Sequence, residues 1–309
     1  MSVTGHLWTV LPNLLGSPSE PSTPFFTTVD DPYLGSIRLT GWLDEVPESD
    51  TAALIVHGFG GDANSRYCAF AARAARKAGY SALRLNLRGA DLSGEDIYHG
   101  GLTEDLRAAL RSPELRKYRK VYIIGYSVGG CIALRAAIEK IDPRIRGVAA
   151  VCSPIDLEAG AVAFDDPSNA LYRRHVFHQL NRVYKAAAAR RPMANPPEVV
   201  ECALFTKERD EVAVIPRFGF PSVDAYYEKI AVASDIHRLD IPGLLIVSEN
   251  DPIVSPKTVR DACGRASRAL TTIHTPAGGH LYFPSDLDLG QGGRLGLASQ
   301  VVTWLSNQS

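Results

Sequence analysis

Short, continuously apolar runs alternate with helix-length segments along most of this 309-residue chain. Ala52 to Val56 (AALIV), Ala82 to Asn86 (ALRLN), Val121 to Ile124 (VYII), Val148 to Val151 and Leu244 to Val247 read as buried strands. Residues 65–78, 103–110, 128–140 and about 256–270 read as helices between them, and Leu295 to Leu305 reads as a closing helix. Strands apolar on both faces and joined by helices call for a mostly parallel sheet covered on both sides. Ser36 to Leu43 (SIRLTGWL) instead alternates polar and apolar, as an early antiparallel strand does, and Thr272 to His274 reads as a short last strand. The opening stretch to about Tyr33 is rich in Pro, Ser and Thr and reads as an extended arm over the surface.

The alternation breaks once, between about Asp156 and His237. An amphipathic segment from Asn169 to Arg190 stands there, with Leu171, Val176, Leu180, Val183 and Ala187 at helical spacing. Residues 156–237 therefore read as a helical cap inserted into a core made of residues 1–155 and 238–309, with residues 1–35 as the N-terminal arm.

Charge excludes some functions. Lys plus Arg total 33 and Asp plus Glu 34, a net charge of −1, which gives no bulk attraction to nucleic acid or an anionic membrane. No window approaches the ~20 apolar residues that span a bilayer, and the N-terminus lacks a basic and apolar secretory pattern. A cytoplasmic location is the expectation. Five cysteines (Cys68, Cys131, Cys152, Cys202, Cys263) without metal-ligand spacing read as reduced, buried thiols.

Gly125-Tyr126-Ser127-Val128-Gly129 joins the VYII strand directly to a helix. This is the G-x-S-x-G elbow in the context it requires, a sharp turn that lifts a serine hydroxyl off the sheet edge at a helix N-terminus. Side chains at Gly125 and Gly129 would collide with the adjoining strand and helix. Earlier, His57-Gly58-Phe59-Gly60-Gly61 follows the AALIV strand. The backbone amides of Phe59 and Val128 are the candidate oxyanion donors, and His57 reads as orienting its loop.

A serine nucleophile needs an imidazole base and a carboxylate to fix its tautomer. The order serine, acid, histidine is met by Ser127, Asp251 after the GLLIVSEN strand, and His280 in PAGGHLYF. Asp156 and Glu249 are rivals for the acid. His175 and His178, at i and i+3, could hold a metal on one helix face, but no third ligand accompanies them and a solvated face is the reading. No metal or cofactor is expected.

Several longer runs resemble the YheT-type α/β hydrolases, a group that includes mammalian abhydrolase-domain proteins and yeast medium-chain ester synthase/esterases. GHLWTVLPNLL, HGFGGDANSRY, LNLRG with IYHGGLTEDLR, GYSVGG, and FGFPSVDAYYEKIAVASDIHRLDIPGLLIVSENDPIV carry the resemblance over almost the whole chain. Trp8 stands where the group usually has Gln, and Ala90-Asp91 follow the RG where many members have Cys-Ser or Cys-Gly. The resemblance implies the α/β-hydrolase fold, a triad on Ser127, Asp251 and His280, and ester hydrolysis on medium or long acyl chains. Acyl transfer to an alcohol or from a thioester by the same triad is the first alternative. A catalytically silent receptor is the second. A small-molecule acyl ester is the expected partner, and the sequence leaves the oligomeric state open.

Overall fold

The computed structural model describes residues 3–10, 22–264 and 267–308. Eight strands form one sheet: β1 (Thr23–Asp31), β2 (Gly35–Asp44), β3 (Thr51–Val56), β4 (Ser81–Asn86), β5 (Lys120–Tyr126), β6 (Ile145–Val151), β7 (Gly243–Ser248) and β8 (Leu270–Thr275), in the order β1-β2-β4-β3-β5-β6-β7-β8. β1 and β2 pair antiparallel, as do β2 and β4; the other pairings are parallel.

Around the sheet lie α1 (Val3–Val10), α2 (Arg66–Lys77), α3 (Glu104–Arg111), α4 (Pro113–Arg116) and α5 (Val128–Ile138). Between β6 and β7 come α6 (Leu157–Phe164), α7 (Ala170–Ala188), α8 (Pro197–Glu201), α9 (Thr206–Phe218) and α10 (Val223–Ile230), with α11 (Pro256–Cys263) and α12 (Leu297–Ser306) closing the chain. Every residue of β3, β4 and β7 is buried, as a sheet covered on both faces requires. Successive strand residues serve opposite layers. Ala52, Leu54, Ile123 and Leu245 pack with α3, α5 and the inserted helices, whereas Ala53, Ile55, Ile124 and Leu244 pack with α2 and α12.

The structure departs from the sequence expectations in four places. The stretch read as an extended arm holds two regular elements, the α1 helix and the β1 edge strand, which buries only Phe25 and Val29. Residues 1–2 and 11–21 of that arm lie outside the described residues. The helix expected to reach Leu270 ends at Cys263, and Leu270 opens β8. In α7 the apolar stripe begins one turn later than expected, since Leu171 is 81% exposed. All five cysteines are free; Cys202 is exposed and Cys263 half-buried, so only Cys68, Cys131 and Cys152 fit the buried reading. Among the described residues no helix is long and apolar enough to cross a membrane.

One buried ion network joins the parts. The Arg88 guanidinium, in the loop after β4, donates to Asp105 of α3 (2.7 and 2.9 Å), to Asp96 (3.1 Å) and to Asp31 at the end of β1 (3.1 Å). Arg217 of α9 donates to the same Asp96 (2.6 Å) and Asp31 (2.7 Å). Burial opposes ionisation of Asp31, yet the Arg217 contact and the amides of Tyr33 and Leu34 hold its pKa below the usual carboxylate range. A lowered folded pKa stabilises at pH above that of the unfolded carboxylate, and the contribution disappears as the pH falls through the folded value. Replacing Arg88 strands the buried Asp105 and leaves Asp31 and Asp96 with Arg217 alone. Arg88→Met is expected to cost about 3–5 kcal/mol in urea unfolding at neutral pH. Arg88→Lys should recover only part of this, because an ammonium cannot span three carboxylates as the guanidinium fork does.

Candidate active site

β5 runs straight into α5 through Ser127, whose backbone sits at φ 51° and ψ −126°. A non-glycine residue there is strained by ~1–3 kcal/mol and has to be held by its surroundings. The flanking glycines show how. A Cβ on Gly125 would lie 2.2 Å from the Gly129 carbonyl oxygen, and one on Gly129 would lie 2.3 Å from that of His57. The Ser127 amide donates to Val151 O of β6 at 2.8 Å, tying the turn to the sheet. Cys152 (φ 49°) and Leu281 (φ 69°) are likewise in the left-handed region, so three of the chain's strained non-glycine residues gather around one site.

The loop after β3 passes over the serine. A Cβ on Gly58 would come within 2.9 Å of Ser127 Cβ and 3.6 Å of its Oγ. The amides of this loop are mostly engaged: Gly58 N donates to Tyr67 Oη (3.3 Å), Gly60 N to Tyr98 Oη (3.0 Å) and Gly61 N to Gly58 O (3.2 Å). The Phe59 amide between them has no such acceptor among the described residues. Val128 is the first residue of α5, so its amide has no carbonyl one turn earlier to bond. His57 is fully buried, with Nδ1 bonded to Gly58 O (2.8 Å) and Nε2 accepting from the Leu87 amide (3.2 Å). Desolvation lowers its pKa, so it serves as a neutral brace between two strand-end loops.

Asp251 follows β7 and His280 follows β8. Asp251 Oδ2 meets His280 Nδ1 at 2.9 Å, while Oδ1 accepts the amides of Ile253 (2.8 Å) and Val254 (2.9 Å). Both side chains are buried, and Ser127 and His280 line the same cavity. The rivals have other work. Asp156 caps α6 by accepting from the Ala159 amide, and Glu249 pairs with Arg260 and His274. His175 and His178 are exposed.

Two features of this corner were not read from the sequence. α1 packs on the loops that carry the acid and the base. Thr9 Oγ1 accepts the His280 amide at 2.8 Å and donates to Gly5 O at 2.7 Å; a Cβ on Gly5 would strike the Asn250 carbonyl, and one on Gly279 would strike that of Gly5. The only signal was the GHLWT run within the family resemblance. The second is the Cys152 thiol, which with Asp251 and His280 forms the one group of three potential metal ligands among the described residues. The donors do not suit a resident metal. Burial, and then the Asp251 charge, push the thiol pKa well above its usual value, and the Asp251 carboxylate already occupies His280 Nδ1.

The cavity measures about 660 Å³. Phe59, Ile253, Val254 and Val10 contribute apolar wall from the core and α1; Leu157, Ala161, Phe164, Leu171 and Val176 contribute it from the inserted helices. Tyr172, Tyr226 and Tyr227 reach the cavity, whereas Phe177 and Tyr184 are buried away from it.

Residues 52–286 match the model of the alpha/beta hydrolase fold family. The Escherichia coli protein YheT is 26% identical, the match covering 97% of this chain and 90% of YheT. Medium-chain fatty acid ethyl ester synthase/esterase 2 of Saccharomyces cerevisiae is 26% identical over 78% of this chain, and the match spans 60% of that relative's length. The yeast monoacylglycerol lipase is 25% identical over 82% of this chain, with 57% of its own length matched. Among solved structures, a Pyrococcus furiosus esterase superposes with a TM-score of 0.56 at 18% identity, covering 86% of this chain and 88% of its own. An esterase domain from Rhodothermus marinus gives 0.52 at 20% identity over 91% of this chain and 95% of its own. A strained serine between β5 and α5, an acid after β7, a histidine after β8 and a family match over most of the sheet agree: the chain belongs to the alpha/beta hydrolase fold family.

Proposed function

We propose that this protein is a carboxylic ester hydrolase in which Ser127, His280 and Asp251 act as a catalytic triad on acyl esters of medium to long chain. The observation that carries the reading is the buried His280–Asp251 contact at 2.9 Å, with His280 on the same cavity as the strained Ser127. The esterase and lipase named among the relatives support the substrate class.

His280 takes the Ser127 proton as the oxygen attacks the ester carbonyl. The Asp251 carboxylate, on Nδ1, stabilises the imidazolium that forms. The amides of Phe59 and Val128 receive the negative charge of the tetrahedral oxygen, aided by the positive end of α5. His280 then gives its proton to the leaving alcohol and activates the water that releases the acid. Residues 156–237 act as the cap unit that encloses the acyl chain. A cavity of about 660 Å³ with a mainly apolar wall suits such a chain better than an acetyl group alone. The five unpaired cysteines fit action in a reducing cytoplasm.

Acyl transfer to an alcohol is the second reading, favoured by the synthase/esterase relative. Adding ethanol to the assay separates the two, since transfer forms the ethyl ester at the expense of free acid.

Hydrolysis of p-nitrophenyl esters from acetate to palmitate is expected to peak beyond acetate. Ser127→Ala is expected to lower kcat by on the order of 10³-fold or more. A variant retaining near wild-type turnover would remove Ser127 from the mechanism. Thr9→Val leaves the buried His280 amide without its acceptor, a cost of ~1–3 kcal/mol that predicts a fall in kcat of roughly 5- to 100-fold. Thr9→Ser restores the acceptor and should restore most of the rate.

A further inference from the structure

Most of the cavity wall is apolar, but on the cap side α9 places a carboxylate in it. Thr206 and Asp210, one helical turn apart, both line the cavity. Asp210 is only 9% exposed. Its Oδ2 accepts from Tyr227 Oη at 2.7 Å, and Oδ1 has no donor among the described residues. Burial of a carboxylate against an apolar wall is costly, and desolvation raises the Asp210 pKa to about 6.

Of the other polar side chains on this wall, His175 is exposed to solvent and the rest are engaged. The Thr206 hydroxyl donates to Asp165 (2.8 Å), and Tyr172 Oη meets His6 Nδ1 (2.7 Å). Tyr226 Oη accepts the Gly100 amide (3.3 Å) and keeps its own hydrogen to donate. Among the buried polar side chains of this wall, one acceptor, Asp210 Oδ1, and one donor, the Tyr226 hydroxyl, thus remain.

We propose that Asp210 and Tyr226 form a subsite for a hydroxyl group carried by the substrate away from its scissile ester. A hydroxyl both donates and accepts, which matches the pair; an ammonium only donates. The charge balance points the same way. The buried Arg209 guanidinium beside Asp210 has no carboxylate within ion-pairing distance among the described residues and already offsets the Asp210 charge. A second cation is not called for. The subsite deepens the ester hydrolase reading and rests on it for the identity of the cavity as the substrate site. The hydroxyl can come from the alcohol part of the ester or from the acyl chain.

The test measures binding, so it does not depend on turnover. Octyl ethers, which cannot be hydrolysed, are titrated calorimetrically into Ser127→Ala and into Ser127→Ala combined with Asp210→Asn. The probes are octyl glyceryl ether, 8-hydroxyoctyl propyl ether, plain octyl propyl ether and octyl 3-aminopropyl ether. At least one hydroxylated ether is expected to bind about tenfold or more tighter than the plain ether, as a hydrogen bond to a charged group allows. The glyceryl probe reports a hydroxyl on the alcohol side and the hydroxyoctyl probe one on the chain. Asp210→Asn keeps the size of the side chain and an acceptor for Tyr227, and should bring the ratio to within about threefold of unity. Hydroxylated ethers that bind no better than the plain ether overturn the proposal, a comparison that the Ser127→Ala protein makes alone. A preference that survives Asp210→Asn, or tightest binding by the amine, overturns it as well. Hydrolysis of octanoyl esters by the wild-type protein is run separately, so a failure of the esterase reading is seen apart from a failure of the subsite.

Discussion

The Arg88 guanidinium is where the separate parts of the molecule meet. It reaches carboxylates from the edge strand β1, from the loop beyond β4 and from α3, and two of these are shared with Arg217 of the cap. Three aspartates and two arginines with little access to water are held together because each carboxylate meets at least one guanidinium group. Removing either arginine leaves buried carboxylates short of a cation, which is far more costly than the net worth of the intact network. The network therefore acts as a specification of which surfaces meet. It fixes the helices between β6 and β7, through the C-terminal end of α9, against the sheet and its edge strand. Rigidity of this kind is needed where the backbone is strained, and Ser127, Cys152 and Leu281 all hold positive φ around the cavity.

Much of the architecture was legible because it is written in local patterns. β3, β4, β5, β6 and β7 are built around buried, mainly apolar runs, and a doubly covered parallel sheet rewards that. The elbow was legible for a steric reason: Gly125 and Gly129 sit where a Cβ would meet backbone atoms at 2.2 and 2.3 Å. Asp251 and His280 required chain order as well as pattern, and the structure brings them together by ending adjacent parallel strands at one edge of the sheet.

What escaped the sequence reading depends on distant partners. TPFFTTVDD pairs with β2 as an edge strand and buries two residues, so its apolar signal is thin and its Pro and Thr content resembles a loop. α1 is short, and nothing in VTGHLWTV announces that Thr9 would hold His280. Leu171 fits the α7 stripe by spacing, yet it lies past the end of the packed face and turns to the cavity mouth. Asp210 is one charge among many in TKERDEV; only the folded chain reveals it as a carboxylate lining a mainly apolar cavity.

The hydrogen bond from the His280 amide to Thr9 spans 271 positions of sequence. During synthesis the elbow and its helix leave the ribosome long before residue 280 does, so the serine segment is made well before the loop that lies beside it in the fold. The contact between α1 and the loop after β8 can form only once residue 280 has been made. The corner where α1 meets the loops after β7 and β8 is thus closed by residues from distant parts of the sequence, a dependence that arises from connectivity alone.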